Sequence, residues 1–346
     1  MSISQCVTAE LSEAWDDFVR AHAFGTVFHL RAWQRLIEGA FGHTPVHLVA
    51  SEGPSGRIAG LLPLFLVHSR IFGRMLISTP QAAYGGIIAD SQETADNLLG
   101  HAQEMARHFG VRFLELRSFQ NDLADTSLPV KDLYVTFRKE LDPDVEKNFL
   151  SIPRKTRAEA RHGIQAGLEF RVDAISVDEF YRIYAESVRD LGTPVFSRDL
   201  FCLGQGNFGS DCRIFSVHWE GRPVAAVWTL FYKNEVIPYY GGSLRKYSHL
   251  GINNFMYWML IRHGCENGYR IFDFGRSKRG TGSFDFKKRW GMTMMDLPYQ
   301  YVLVRDNLLP DTSPLNPKFS LPIQIWRRLP LFITNSLGPH ISKHLI

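Results

Sequence analysis

The chain repeats one order of sequence patterns in its two halves, and this repeat constrains the fold more than any other feature. Tyr84-Gly85-Gly86 in the first half corresponds to Tyr240-Gly241-Gly242 in the second. Each triplet precedes a segment with helical spacing, which ends at Gly110 in one half and at Gly268 in the other, and then a short apolar strand. The same supersecondary unit therefore occurs twice, and we predict a duplicated domain.

Helical and strand patterns alternate in both halves, which predicts an α/β (α+β) fold with mixed sheets flanked by helices. One long strand is expected over Ile58 to Val67, and a capping box at Ser176 predicts the start of a helix. The length of the chain favours two domains. We predict an N-terminal domain over 1–145, a C-terminal domain over 146–306, and a Pro-rich tail with a terminal helix over 307–346.

The strongest local charge lies in the window from Ile271 to Gly291, where a short apolar strand breaks at Gly275 and leads into a glycine-containing basic loop. The window carries six cations and two anions, and its net charge of +4 equals that of the whole chain. Glycines let backbone N–H groups approach an anion, and clustered cations attract it. We expect this loop to hold a phosphate or a carboxylate, and the chemistry to lie mostly in the second half.

Two residues of this window are the candidates for catalysis. Asp273 lies in an apolar strand, so its carboxylate is either held by N–H groups of the next loop or used as a catalytic or orienting group. Lys287 could stabilise a phosphate or a developing oxyanion. Phe286 and Trp290, four residues apart, could anchor one helical face and direct this lysine toward the loop.

A second anion cradle is predicted between Tyr239 and Asn254, where a strand, a glycine turn and a helix N-terminus follow one another. We expect Asn253 to cap that helix; a plain turn with a capped helix is the alternative. Arg157 and Arg161 belong to a basic helix after Pro153, which either binds a polyanion or presents a solvated face. The expected substrate- and donor-binding residues are Tyr240, Gly241, Gly242, Ser243, Arg245, Gly251, Asn253, Gly275, Arg276, Ser277, Lys278, Gly280, Gly282, Phe286, Trp290, Arg157 and Arg161.

Several classes of function lack their motifs in this sequence. It contains no GxSxG, P-loop, HExxH or Rossmann fingerprint, and its four cysteines form no CxxC pair. We therefore expect no metal site, no bound cofactor and a reducing, cytoplasmic environment. The remaining chemistry is that of a transferase that orients two substrates without a covalent intermediate, such as amine attack on an activated ester or thioester.

The C-terminal tail combines prolines with an apolar segment that Arg327-Arg328 divides. It is either a terminal helix that packs on the core or a contact with a membrane surface, in which the arginines lie near anionic lipid.

The motifs around the basic loop resemble a known family. The segment Gly275-Arg276-Ser277-Lys278-Arg279-Gly280-Thr281-Gly282, followed by Phe286-Lys287-Lys288-Arg289-Trp290-Gly291, is similar to the C-terminal signature of FemAB-like proteins. The closer similarity is to the subgroup associated with exosortase/PEP-CTERM exopolysaccharide systems, and it extends to the tail from Pro317 to Gly338. The resemblance covers nearly the whole chain.

This resemblance implies two tandem GNAT-like acyltransferase domains. It also implies an acyl-CoA or aminoacyl-tRNA donor and an amino-sugar or lipid-linked glycan precursor of the cell envelope as acceptor. It places Lys287 near the donor phosphates or the reacting carbonyl, and the arginines of Arg154 to Arg161 near substrate phosphate. The long coiled-coil arm that cell-wall relatives carry for tRNA is not evident in the sequence, which leaves acyl-CoA open as the donor.

Two alternatives to an enzyme remain. The chain could be a degenerate transferase that serves as a scaffold or assembly component of an export system. It could also be a nucleic-acid-binding module, although its low net charge argues against this. The oligomeric state is not specified by the sequence.

Overall fold

The computed structural model describes residues 2–4, 9–53, 56–119, 127–310 and 317–345 of the chain. The strands are β1 (Ser2–Ser4), β2 (Thr44–Pro45), β3 (Leu48–Glu52), β4 (Arg57–Leu62), β5 (Leu64–Ser69), β6 (Gly73–Ser78), β7 (Ile88–Ala89), β8 (Phe113–Arg117), β9 (Val130–Glu140), β10 (Glu169–Val172), β11 (Cys212–Trp219), β12 (Arg222–Tyr232), β13 (Glu235–Ser243), β14 (Ile271–Asp273), β15 (Ser277–Lys278) and β16 (Thr293–Leu303). The helices are α1 (Ala9–Ala21), α2 (Arg31–Phe41), α3 (Gln92–His108), α4 (Val145–Ser151), α5 (Arg154–Gln165), α6 (Val177–Leu191), α7 (Arg198–Phe208), α8 (Ile252–Glu266), α9 (Gly282–Lys288), α10 (Ser320–Trp326) and α11 (Leu331–Ser342).

The chain divides into two compact units. Unit 1 comprises Met1–Tyr134, Asp296–Thr312 and Lys343–Ile346, and unit 2 comprises Val135–Met295 and Ser313–Ser342. Each unit is built from separate stretches of chain, whereas the predicted domains are contiguous ranges. The ranges 1–145, 146–306 and 307–346 stay a prediction.

Unit 1 contains two groups of strands around one apolar core. β1, β3, β4 and β7 form an antiparallel sheet in that order. The strands β16, β8, β6, β5 and β2 are hydrogen-bonded to one another, in that order, in a second sheet. α3 packs on β3, β4 and β8 through its buried face, which includes Leu98 and Ala102. The parallel strands β6 and β8 are joined through α3, and α3 and β8 are the helix and the strand that the repeat predicts for the first half.

The single strand predicted from Ile58 to Val67 is wrong. The chain forms two strands there, which separate at Pro63 and join different sheets, β4 with β3 and β5 with β6. Because proline has no backbone N–H to donate, the hydrogen-bonded pairing between strands is interrupted at Pro63. The apolar run is continuous because both strands are buried on both sides.

Unit 2 is built on strands in the order β10, β11, β12, β13, β14 and β9, in which only β13 and β14 are parallel. Helices cover both faces of this sheet. Val227 of β12 belongs to the apolar core that includes residues of α8, whereas its neighbour Trp228 lies against Gly204 of α7. Successive strand residues point to opposite faces, so β12 is apolar almost throughout.

Both units therefore have the mixed α/β architecture, with sheets flanked by helices, that the sequence predicts. The capping box is present, since Ser176 Oγ accepts from the Glu179 N–H and the Glu179 side chain accepts from the Ser176 N–H. The sequence does not predict β6 or α7, because their apolar residues show no clear period. None of the helices in the described ranges has the length and apolar character needed to cross a bilayer.

The packing of α8 on α5 predicts unequal costs for two glycine substitutions. Gly251 has a φ of +69°, and a Cβ there would lie 2.6 Å from the carbonyl oxygen of Glu159 in α5. Gly268, just beyond the other end of α8, has a φ of +78° with no atom nearby. Gly268→Ala should lower the free energy of unfolding by about 1 kcal/mol because of its backbone conformation alone. Gly251→Ala should cost at least about 1 kcal/mol more, measured by urea denaturation. Equal losses would show that α5 and α8 are not packed this closely.

Candidate functional site

The parallel strands β13 and β14 diverge, and the predicted basic loop begins where they separate. They are paired at two positions, of which Val236 with Phe272 is the last. β13 continues along β12 to Ser243, while β14 ends at Asp273. The register of β13 shifts by one residue at Tyr239, a bulge that bends the strand in this region.

Asp273 is fully buried and holds the chain where it leaves β14. Its Oδ1 accepts hydrogen bonds from the Gly275 N–H at 2.7 Å and from the Thr136 hydroxyl, and its Oδ2 lies 3.5 Å from Nε of Arg138. Gly275 has a φ of +67°, which glycine adopts without strain. Because a buried carboxylate needs such partners, the Gly275 contact agrees with the first alternative from the sequence, a carboxylate held by N–H groups of the next loop.

Arg138 of β9 links Asp273 to a second acid, Glu235 at the start of β13. Its guanidinium donates a hydrogen bond to the Glu235 carboxylate while it lies beside Asp273. Burial raises the pKa of Glu235, and the charge of Arg138 opposes that rise. Arg138 of β9 thus links the start of β13 to the end of β14.

Lys287 supports the same turn from the other side. α9 begins at Gly282 after Thr281, whose hydroxyl caps it, and the Lys287 ammonium extends back to the carbonyl oxygens of Phe274, Gly275 and Arg276 at 2.6, 3.0 and 3.3 Å. An ammonium has three donors, and these three carbonyls match them. Burial lowers the pKa of Lys287 to about 8; the charge of Asp273 opposes the shift and that of Arg276 adds to it.

Aromatic side chains fix the position of α9. Tyr257 of α8 contacts the rings of Phe274, Phe286 and Trp290 at centroid distances of 4.8, 5.6 and 6.2 Å. Trp290 is buried in the core of unit 2. The prediction that Phe286 and Trp290 anchor this segment and direct Lys287 to the loop is confirmed as geometry; their contact with a substrate stays a prediction.

Two of the predicted cradle glycines have a packing reason. A Cβ at Gly242 would lie 2.7 Å from Cβ of Ser187 in α6, and one at Gly251 would meet the backbone of α5. Gly241 and Gly282 are exposed, and a Cβ at Gly282 would have no atom within 4 Å. A Cβ at Gly241 would lie 3.3 Å from Cγ2 of Val227 in β12. Open space for the close approach of a ligand is therefore found at Gly282, while Gly242 and Gly251 serve the packing of helices.

The predicted cap of α8 is wrong. α8 begins at Ile252, its N-cap is Gly251 in a left-handed conformation, and no side chain caps it. Asn253 is an exposed residue of the first turn. The tight turn requires a positive φ before the helix, which glycine supplies, and this displaces asparagine from the capping position.

Tyr240 lies on the opposite face of β13 from the basic loop. Its ring packs with Tyr184, Phe196 and Phe201 of the α6–α7 side. Tyr239 is the tyrosine that lies against Gly275, with ring carbons 3.7 and 3.8 Å from a Cβ placed there. Alternation along a strand explains the difference, but the bulge prevents the sequence from showing which tyrosine faces the loop.

The two predicted arginines of α5 pack on α4. Arg157 Nη1 donates to the carbonyl oxygens of Leu150 and Ile152, at the end of α4. The Arg161 guanidinium lies 5.0 Å from the ring centroid of Phe149. Both interactions are structural, and contact with phosphate stays a prediction for these residues.

The remaining predicted residues lie along the same two segments of unit 2. Arg245 is exposed in a short 3-10 turn before α8, and Ser243 is the last residue of β13. The loop residues are the half-buried Arg276 and Lys278, the buried Ser277 and the exposed Gly280. Within the described ranges, no three His, Cys, Asp or Glu side chains lie close enough together to hold a metal ion.

Two cavities lie elsewhere. One of about 340 Å³ in unit 2 is lined by Asp173, Gln205 and Arg213 among others. The other, in unit 1, is lined by Tyr84-Gly85-Gly86 and His29, and its volume of about 10 Å³ is too small for more than a water molecule. The counterpart of the second-half glycine turn is therefore nearly closed in unit 1.

Sequence reasoning missed Thr136, Arg138, Tyr239 and Tyr257. Thr136 and Arg138 come from β9, which is far from the loop in sequence. Tyr257 lies on a helix that is apolar on most of its surface, so nothing local distinguishes it. The one local signal is that Thr136 and Arg138 alternate with the apolar residues Val135 and Phe137 in the middle of β9.

Comparison with known proteins relates this geometry to one fold. Residues 151–288, which include β13, α8, β14 and α9, match the family model described as an acetyltransferase (GNAT) domain. A search of curated protein sequences found no match.

Among solved structures, FemX is similar with a TM-score of 0.64 and 14% identity, over 88% of this chain and 98% of that chain. The C-terminal domain of a putative lysylphosphatidylglycerol synthetase from Agrobacterium fabrum has a TM-score of 0.57 and 17% identity over 86% and 92% of the two chains. A tandem GNAT protein from the clavulanic acid biosynthesis pathway has a TM-score of 0.56 and 12% identity over 89% and 99%. The chain has a mixed α/β fold similar to that of tandem GNAT proteins.

The buried contacts of Asp273 predict a large loss of stability on its removal. Asp273→Ala should lower the free energy of unfolding by about 3–5 kcal/mol, because Arg138 and the Gly275 N–H lose their acceptor in the interior. Asp285→Ala is the matched control, since Asp285 is exposed on α9; it should change stability by less than about 1 kcal/mol. Urea denaturation measures both, and indistinguishable values would refute the buried network.

The lowered pKa of Lys287 predicts a pH-dependent stability difference. Below pH 8 both the folded and the unfolded chain hold this proton, and the full cost of burying the charge is present. Between pH 8 and 10.5 only the unfolded chain keeps the proton, so the free energy of unfolding rises with pH. Relative to Lys287→Met, the wild type should gain up to about 3 kcal/mol over this range.

Urea titrations near both ends of this range measure the gain, because other alkaline transitions cancel in the difference between wild type and variant. Lys288→Met, which changes the adjacent exposed lysine, should show no such trend. If the difference in free energy of unfolding between the wild type and Lys287→Met did not change with pH, the Lys287 ammonium would not be buried.

Proposed function

We propose that this protein is an N-acyltransferase or aminoacyltransferase that transfers an acyl or aminoacyl group from a phosphate-bearing donor to an amine. The observation that carries the proposal is the divergence of β13 from β14 beside a basic loop held by Lys287 and Asp273. This divergence lies within the residues that match the GNAT domain model. A gap between parallel strands can admit an extended donor, and the cations around it suit phosphate.

The reaction needs orientation more than reactive side chains. The amine nitrogen attacks the donor carbonyl carbon and forms the C–N bond. The C–S bond of a thioester, or the C–O bond of an aminoacyl ester, then breaks, and the leaving thiolate or alkoxide takes the electron pair. The amine proton leaves through solvent or the departing group. Such a step is accelerated by the alignment of the reactants and by stabilisation of the oxyanion.

Residues of this chain take separate parts in the proposal. Lys287 and Asp273 position the loop through backbone groups, since their contacts in the structure are with that loop and with β9. Arg245, Arg276 and Lys278 neutralise the donor phosphates. Of the other predicted residues, Ser243, Asn253, Gly275, Ser277 and Gly280 lie along the donor path. The packing that supports this path involves Tyr240, Gly242, Gly251, Phe286, Trp290, Arg157 and Arg161. The exposed Gly282 leaves room for the close approach of the donor chain, and the backbone of Gly241 is exposed to it.

The donor is acyl-CoA or aminoacyl-tRNA, both of which combine phosphates with an activated carbonyl. The acceptor is an amine of an amino sugar or of a lipid-linked glycan precursor at the cytoplasmic, inner face of the membrane. Similarity to the C-terminal domain of a putative lysylphosphatidylglycerol synthetase, whose name joins a lysyl group to a lipid, supports an acceptor linked to lipid. The resemblance to exosortase/PEP-CTERM-associated FemAB-like proteins suggests exopolysaccharide assembly as its setting.

A second candidate is a scaffold or assembly role without catalysis. It is favoured by the internal contacts of Lys287 and Asp273, which satisfy both charged groups without a ligand. A scaffold needs the fold but no donor, so donor binding separates the two candidates.

The proposal predicts that an exposed arginine before α8 contributes to donor affinity. With acyl-CoA or charged tRNA and a panel of amino sugars, mass spectrometry should detect N-acylated product. Arg245→Gln should raise the KM for the donor roughly tenfold with a smaller change in kcat, because one charge-assisted contact to phosphate is lost. Arg262→Gln, which changes an arginine paired with Glu266 on the same helix, should leave KM unchanged.

Absence of product and of any thermal shift with either donor would reject the transferase and favour the scaffold. Equal KM values for the two variants, with product formed, would keep the enzyme but remove Arg245 from the donor site.

A further inference from the structure

The C-terminal helix α11 buries small or polar residues and exposes two large apolar residues, together with the polar Ser336 and His340. Thr334, Gly338 and Ser342, spaced by four, are buried, whereas Phe332 is 75% and Leu337 47% exposed. An ordinary surface helix has the opposite arrangement, with its apolar stripe on the core. The exposed side of α11 is therefore not explained by the folding of unit 2.

The buried side needs small residues because α11 approaches the backbone after α6 closely. A Cβ at Gly338 would lie 2.8 Å from Cγ1 and 2.9 Å from the backbone nitrogen of Val195. The hydroxyls of Thr334 and Ser342 bond to the carbonyls of Leu331 and Pro339 in their own helix, which satisfies them in the interior. This packing fixes the orientation of α11, and so fixes which side chains point outward.

α10 adds to the exposed apolar surface. Leu321 and Ile325, one turn apart, are 64% and 52% exposed, while the buried Trp326 faces the protein. Arg327 holds α10 in place through a hydrogen bond from Nη2 to the carbonyl oxygen of Leu191, at the end of α6. We call Leu321, Ile325, Phe332 and Leu337 the outer apolar set.

The charge of this segment has one sign. Residues 313–346 contain no Asp or Glu, and their four cations are Lys318, Arg327, Arg328 and Lys343. Arg327 and Arg328 are exposed between α10 and α11, next to the outer apolar set. Anionic lipid attracts such cations, and each one near the surface strengthens binding roughly fivefold.

We propose that α10 and α11 bind the surface of an anionic bilayer. The outer apolar set enters the boundary between headgroups and acyl chains, and Arg327 and Arg328 lie among the phosphates. Neither helix is long enough to span the membrane. A second copy of the chain is a poorer occupant, because pairing two copies would bring together two segments that carry only positive charge. This inference does not depend on the transferase proposal.

Vesicle co-sedimentation of the full chain tests the proposal. At low salt, the wild type should bind phosphatidylcholine vesicles that contain about one third phosphatidylglycerol, and should bind pure phosphatidylcholine vesicles at least about tenfold more weakly. Phe332→Ser should weaken binding to the anionic vesicles roughly tenfold by removing a large apolar contact. Arg328→Gln should weaken it roughly fivefold.

Leu308→Ser is the matched control, because Leu308 is an exposed leucine outside this segment, at 81%; it should bind like the wild type. Thermal unfolding establishes that each variant is folded. Three results would overturn the proposal: no binding by the folded wild type, equal loss in Phe332→Ser and Leu308→Ser, or self-association in solution that Phe332→Ser abolishes while vesicle binding is absent. Transfer activity on a water-soluble acceptor, measured in the same variants, should be unchanged, which separates this test from the enzymatic one.

Discussion

The turn after β14 is held by two opposite charges, and the candidate site depends on this arrangement. The Asp273 carboxylate accepts from the Gly275 N–H on one side, and the Lys287 ammonium donates to three successive carbonyls on the other. Both groups lose solvation to take these positions, so each requires its full set of partners. The result is a loop whose backbone is fixed before any ligand binds, which is the condition for orienting a donor at low entropic cost.

This arrangement shows that the cations of the basic window have different roles. A sequence with six cations in one window suggests that all of them face the ligand. In the fold, Lys287 supports the backbone and lies beside Arg276, which lowers its pKa further. The cations that we propose to bind an anion are thus those that are exposed or half-buried around the divergent strands, among them Arg245 and Lys278.

Helix packing accounts for part of the glycine pattern. Gly242 and Gly251 allow α6 and α5 to approach the sheet and α8 closely, so their small size serves the core. The same principle places Gly338 against Val195 and turns the apolar side chains of α11 outward. A glycine in a sequence therefore marks a close approach, but its partner can be another helix as well as a ligand.

Local patterns of the sequence were sufficient for several features. The capping box at Ser176, the strand at Phe113–Arg117, the repeat and the basic loop after β14 each depend on residues close together in the chain. Three other features required the tertiary structure: the break at Pro63 between two sheets, the choice of Tyr239 over Tyr240, and the burial of Asp273 by Thr136 and Arg138. These depend on which strands are neighbours, and a period of hydrophobicity carries no information about the partner of a strand.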